Sequence, residues 1–273
     1  MASARRELAA HGLAPSRARG QNFLRRPELA ARLVERLGVT PHDAALEIGP
    51  GTGQLTRALA AVARRTLALE VDRGLAALLA QQGALPASVE VRLADAREAD
   101  WRALAAELGP PVVWVGNLPY SIAGRLLGGL LAPAPPFRAI GCMLQKELAD
   151  RVLAAPDTAD YGTLSVFAGL WFEGERLLEL SPEEFSPRPK VRSTFLALRP
   201  RAAPAQVDDF GVLRALVKAA FGQRRKQLGR ALARAFPASR GALAACAIDP
   251  RRRGETLSCA EFAALANALA ASR

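Results

Sequence analysis

The chain has 273 residues, half of them hydrophobic and 23% charged, which excludes a disordered polypeptide and leaves room for one large domain and a smaller one. Its net charge of +11 is uneven, because residues 201–273 carry 13 Lys or Arg against 5 Asp or Glu. The C-terminal quarter is therefore the candidate surface for a polyanion, although charge alone also fits a well-solvated helical face.

Cys142, Cys246 and Cys259 are widely spaced, with no Cys-x-x-Cys pair and no neighbouring His, which argues against a disulfide framework or a zinc site and suits a reducing cytoplasm. No run reaches the length of a membrane span, and the charged start Met1 to Glu7 lacks the apolar stretch of a signal peptide. In chain order, Leu29, Leu33, Val34 and Leu37 repeat at helical spacing, with Pro27 in the first turn and Gly38 as a stop. Short buried strands are then predicted at 44–48, 66–71, 89–93, 112–115 and 140–144, separated by Ala- and Leu-rich helices. That alternation predicts an α/β fold with a parallel sheet covered on both faces. Strands at 176–180 and 194–198, joined through Pro182, Pro187 and Pro189, predict an antiparallel hairpin at the sheet edge. After Pro200 the segments 210–221, 224–236, 241–247 and a stretch opening on Ser258, with Glu261 completing a capping box, all predict helix. The expected division is a domain of residues 1–200, flexible over 1–20, and a basic helical domain of residues 201–273.

Glu47-Ile48-Gly49-Pro50-Gly51-Thr52-Gly53 follows the first long strand and opens a helix at Gln54. Glycines at 49, 51 and 53 let the backbone turn sharply against a ligand, and their alternation departs from the G-x-G-x-x-G of a dinucleotide site and points to S-adenosylmethionine. Glu70 ends the next strand at the distance where a carboxylate meets ribose hydroxyls, and Asp95 ends the third, where it could accept from the cofactor's adenine. Each acid alone is more often a strand terminator or helix cap than a ligand contact. Their order converges on one crevice with Asn117-Leu118-Pro119-Tyr120. An Asn side chain and the carbonyl of the residue before proline can accept both N–H bonds of an adenine-type amine, and the Tyr ring offers its face to the base.

Together with Gln21-Asn22-Phe23-Leu24, Met143 to Glu147, Tyr161-Gly162, Phe185 to Val191 and Phe221 to Lys226, these motifs resemble the ribosomal RNA adenine N6-dimethyltransferases, with similarity from Arg19 to the C-terminal helix. The resemblance implies a class I, Rossmann-like S-adenosylmethionine-dependent methyltransferase: a seven-stranded, mostly parallel sheet with a small all-helical C-terminal domain. It implies that the enzyme acts as a cytoplasmic monomer on two adjacent adenines in the 3′-terminal hairpin of 16S rRNA within the 30S particle. The implied cofactor residues are Gln21, Asn22, Leu24, Gly49, Gly51, Gly53, Glu70, Val71, Asp95, Ala96 and Asn117. Asn22 and Leu24 would close over the cofactor. Tyr120 and Phe185 would sandwich the flipped adenine beside Asn117, Leu118 and Pro119, and Lys190, Arg192, Arg224, Arg225 and Lys226 would contact RNA.

The chain departs from many relatives in reading Ser121-Ile122-Ala123 after Tyr120, a change expected to touch a local cap alone. Three rival readings share parts of this pattern: a 23S rRNA adenine methyltransferase of the antibiotic-resistance type, a DNA adenine methyltransferase, and a non-catalytic assembly or transcription factor on the same fold. Leu118 departs from the Pro-Pro-Tyr usual in the DNA enzymes.

Overall fold

A computed structural model describes residues 8–16, 20–81, 85–131 and 135–272. In chain order its strands and helices are β1 (Phe23–Leu24), α1 (Pro27–Leu37), β2 (Ala44–Ile48), α2 (Gln54–Ala60), β3 (Arg65–Glu70), α3 (Arg73–Gln81), β4 (Val89–Leu93), α4 (Trp101–Leu108), β5 (Val112–Asn117), α5 (Ala123–Leu130), β6 (Ala139–Gln145), α6 (Lys146–Val152), α7 (Thr163–Trp171), β7 (Phe172–Leu180), β8 (Phe185–Ser186) and β9 (Ser193–Pro200), followed by α8 (Phe210–Gly222), α9 (Leu228–Leu232), α10 (Ser239–Ala245) and α11 (Cys259–Ala271).

Seven strands form one sheet in the order β4-β3-β2-β5-β6-β9-β7. The first five are parallel, as their apolar runs predict, and β9 runs antiparallel to β6 with β7 beyond it at the edge. Strand alternation assigns the faces. Ala45, Val113 and Val115 point into a core filled by Leu29, Leu33 and Leu37 of α1 and Leu55 and Leu59 of α2. Trp114, between the two valines, meets Trp101 of α4 edge to face at 6.1 Å on the opposite side. The pair β1–β8 makes a separate two-stranded ribbon, fastened by a bidentate ion pair between Arg26 and Glu184 at 2.9 and 2.5 Å.

The chain divides into two compact units: one of the described residues up to Leu126 with Pro135–Ala149 and Glu175–Arg199, the other of the described part of 127–134 with Asp150–Gly174 and everything from Pro200. The second unit thus reaches back before residue 200. The reason lies in α7, whose buried Val166, Phe167, Leu170 and Trp171 pack among α8 and α11. Its own core joins Leu213, Leu216 and Val217 to Leu228, Leu243, Phe262 and Leu265, and the predicted Ser258–Glu261 capping box closes the start of α11. Of the expected flexible start, residues 1–7 and 17–19 lie outside the described residues, whereas Leu8 is buried against Phe23, Leu75 and Leu78. No helix among the described residues is long and apolar enough to cross a membrane.

Candidate active site

Because β4, β3, β2 and β5 are parallel and in register, with Ile48 opposite both Leu69 and Gly116 and Glu70 opposite Leu93, their carboxyl ends leave the sheet along one edge. A cavity of about 300 Å³ opens there, lined by Gly20–Phe23, Gly49, Gly51, Glu70, Val71, Asp95–Arg97 and Asn117–Ile122. Of the sequence-predicted cofactor residues it gathers Gln21, Asn22, Gly49, Gly51, Glu70, Val71, Asp95, Ala96 and Asn117.

The loop after β2 takes the left-handed conformation at three alternate positions, with φ of 68° at Gly49, 58° at Gly51 and 79° at Gly53. A Cβ on Gly51 would lie 2.6 Å from the Phe23 ring, so the approach of this loop to β1 requires glycine. A Cβ on Gly49 would meet nothing within 4 Å, leaving a backbone that a ligand in the cavity can approach closely. Glu70 binds this loop to the end of β3, accepting from the Gly51 N–H at 3.3 Å through one oxygen and from the Asp72 N–H at 2.8 Å through the other. Burial raises its pKa, and those backbone donors oppose the rise.

Asn117, the last residue of β5, donates from Nδ2 to the Asn22 carbonyl at 2.8 Å. That bond fixes the amide with Oδ1 as its remaining acceptor. Leu118 is buried and donates its N–H to the Met143 carbonyl at 3.3 Å, while its own carbonyl accepts from no described residue. Tyr120 lines the cavity and shares a 2.6 Å hydrogen bond between its hydroxyl and Ser193 Oγ, with burial raising the phenol's pKa. The Pro119 carbonyl accepts from the N–H groups of Ile122 and Ala123, so the Ser121-Ile122-Ala123 departure sits within a local turn.

Three predicted residues do not line this cavity, although Leu24 borders a smaller one with Gly49 and Asn117. Leu24 and Phe185 face each other across the β1–β8 ribbon, which turns both side chains into the core with Leu29, Met143 and Phe195. Phe185 is only 2% exposed and does not line the cavity, so the expected aromatic sandwich is represented at the cavity by Tyr120 alone. Gly53 caps α2 and packs against Leu79.

Among the cations, Lys190 is exposed, and Arg192 is exposed with Glu179 at 3.6 Å. Arg224, Arg225 and Lys226 lie in the turn between α8 and α9 rather than on the predicted helix. The first N–H groups of α9 are taken by Arg252 and Pro250 carbonyls, which starts that helix at Leu228. All three are exposed, and Arg224 donates to Glu255 at 2.7 Å and to the carbonyls of Thr158, Ala159 and Tyr161.

Three side chains at the site escaped the sequence reading. Ser193 reaches Tyr120 from 73 positions away, and no local pattern signals that. Glu47 is wholly buried beneath the loop, where desolvation and the Glu70 charge push its carboxyl up to about 8 and Oε2 finds no partner among the described residues. A second cavity of about 20 Å³ touches it, together with Thr52 and Asn117. Arg97, two residues after Asp95, holds that carboxylate at 2.5 Å and keeps its pKa low.

A profile of the ribosomal RNA adenine dimethylase family matches residues 16–271. The chain is similar to ribosomal RNA small subunit methyltransferase A of Dinoroseobacter shibae, 43% identical over 98% of this chain and 96% of that one. It is also similar to the protein of that name from Geobacter metallireducens, 42% identical over 95% and 97%. Among solved structures it resembles the 23S rRNA methyltransferase ErmE, with a TM-score of 0.64 and 28% identity over 91% of this chain and all of that one. A dimethyladenosine transferase from Plasmodium falciparum shares the fold, with a TM-score of 0.72 and 22% identity over 89% and 95%. The expected class I methyltransferase architecture is therefore present. With a profile match over residues 16–271 and relatives above 40% identity across nearly full lengths, the chain belongs to the ribosomal RNA adenine dimethylase family, which takes its methyl groups from S-adenosylmethionine.

Proposed function

We propose that the protein transfers methyl groups from S-adenosylmethionine to N6 of two adjacent adenines in the 3′-terminal hairpin of 16S rRNA, acting as a monomer on the 30S particle or its precursor. The observation that carries the reading is the Asn117 amide, oriented by the Asn22 carbonyl, next in sequence to the Leu118 carbonyl, which accepts from no described residue. Two fixed acceptors suit the two hydrogens of an exocyclic amine, and hydrogen bonding to both favours a tetrahedral, more nucleophilic nitrogen. The Tyr120 ring supplies one stacking face for an extruded base.

S-adenosylmethionine supplies the electrophilic methyl group. Glu70 would hold its ribose, Asp95 its adenine, and the Gly49–Gly51 backbone its methionine part. The residues fit this role because the bare Gly49 backbone and both carboxylates line one cavity. No side-chain base is needed, since the methylated, cationic amine readily gives its proton to water; orientation carries the rate. Lys190, Arg192, Arg225 and Lys226 are the proposed phosphate contacts, with Arg224 holding the turn in place. An additional role in small-subunit assembly is compatible with the same surfaces.

The test supplies labelled S-adenosylmethionine with 30S particles, 50S particles, naked rRNA and DNA, then identifies the modified nucleoside by mass. N6,N6-dimethyladenosine from 30S particles alone is expected; label in 50S or DNA would overturn the substrate assignment.

A further inference from the structure

Asp95, the proposed acceptor for the cofactor's adenine, already has a ligand. The Arg97 backbone N–H reaches Oδ1 at 2.9 Å, its Nε lies 3.0 Å from both oxygens, and Nη2 lies 2.5 Å from Oδ2. Both residues line the cavity, and the Arg97 side chain is 49% exposed, so solvent gives it room to leave. A guanidinium N–H pair is chemically close to an exocyclic amine: each offers only donors to the carboxylate. The backbone N–H and Nε occupy Oδ1, and Nε and Nη2 occupy Oδ2, so a purine amine competes with the guanidinium for the same oxygens.

We propose that Arg97 is an internal stand-in for the purine amine, so that the cofactor must displace its guanidinium from Asp95 to bind. This rests on the assignment of Asp95 to the adenine. It makes Arg97 a specificity-determining residue of the cofactor site. A bare carboxylate attracts a 6-amino purine and repels a 6-oxo purine, whose oxygen is an acceptor. A guanidinium beside it offers donors to that oxygen and softens the discrimination. Arg97 thus lowers affinity for the correct nucleoside and shelters the incorrect one.

The experiment measures binding of S-adenosylhomocysteine, which has no net charge, and of its deaminated analogue S-inosylhomocysteine, by calorimetry on the full chain. Wild type, Arg97→Ala, Arg97→Lys and Asp95→Asn are compared. An exposed ion pair of this kind is modest, so Arg97→Ala should bind S-adenosylhomocysteine roughly 2- to 5-fold more tightly. It should bind the inosyl analogue more weakly, with Arg97→Lys in between because it keeps charge but loses the fork. Weaker or unchanged S-adenosylhomocysteine binding by Arg97→Ala overturns the displacement while leaving Asp95 in place. Asp95→Asn binding like wild type removes Asp95 from the adenine site, and the displacement with it.

Discussion

The end of β5 and the turn after α8 both carry motifs of the family, yet they are built in opposite ways. At Asn117 the supporting groups are tied to distant chain and leave the acceptors open: β5 is flanked by parallel strands, the Leu118 N–H is bound to Met143, and the amide nitrogen is bound to a carbonyl 95 positions earlier. At Arg224–Lys226 three neighbouring cations look alike in sequence but divide their work. Arg224 is taken up by Glu255 and three carbonyls, and the next two face solvent. A motif at the end of a sheet strand therefore keeps its meaning residue by residue, whereas a basic run keeps it only as a sum.

The comparison breaks first at Asn117. Asn117→Ala should lower kcat on ribosomal substrate by roughly 10²- to 10³-fold, the scale of losing one preorganised polar group, with RNA binding unchanged in a filter assay. Near-normal turnover would remove the amide from the chemistry.

Glu47 tests whether the ground under the site is as rigid as its surface. Burial raises its pKa from 4.5 to about 8, so the folded state keeps a proton that the unfolded state loses. The resulting stability is fully present below pH 4.5 and declines as the pH rises towards 8. Glu47→Gln should therefore gain on wild type across that window, by on the order of 1–3 kcal/mol at its upper end, read from thermal melts at several pH values. A constant difference between the two proteins would place the proton elsewhere.

In the turn, Arg224→Ala should cost about 1–2 kcal/mol of stability in urea unfolding, from the lost charged hydrogen bonds, with no change in the salt dependence of RNA binding. Arg225→Ala combined with Lys226→Ala should do the reverse: leave stability within about 0.5 kcal/mol and flatten the salt slope by about one unit per lost phosphate contact. If Arg224→Ala alone flattened the slope, the division of labour would fall.

What could be read in advance follows the range of the interactions involved. The five parallel strands were legible because each is a short apolar run between helical segments, and Glu70 and Asp95 because parallel strands end on one edge. The Ser258–Glu261 box was legible because it is local. The β1–β8 ribbon was not, since two-residue strands have no period and pair across more than 160 positions. That ribbon decides the fate of Phe185, whose aromatic character fits a base and a core equally well. Nor could the run from Arg224 reveal that the Thr158, Ala159 and Tyr161 carbonyls would take up its first guanidinium, or that the Arg252 and Pro250 carbonyls would start the next helix only at Leu228. Glu47 looked like one more residue of a loop motif, because burial of an acid is a property of the layers above and below it.

The single hydrogen bond from Asn117 to the Asn22 carbonyl has an engineering consequence. A fragment starting at Pro27 would retain every strand of the seven-stranded sheet, and so pass for an intact scaffold in a domain swap or a minimal version. It would nonetheless lack the clamp that tells the amide's oxygen from its nitrogen, and rotation of that group by half a turn would present the target amine with a donor. Grafts of this scaffold should therefore carry Gly20–Leu24 with them, because Asn22 holds the Asn117 amide and Gly20–Phe23 line the cavity beside it.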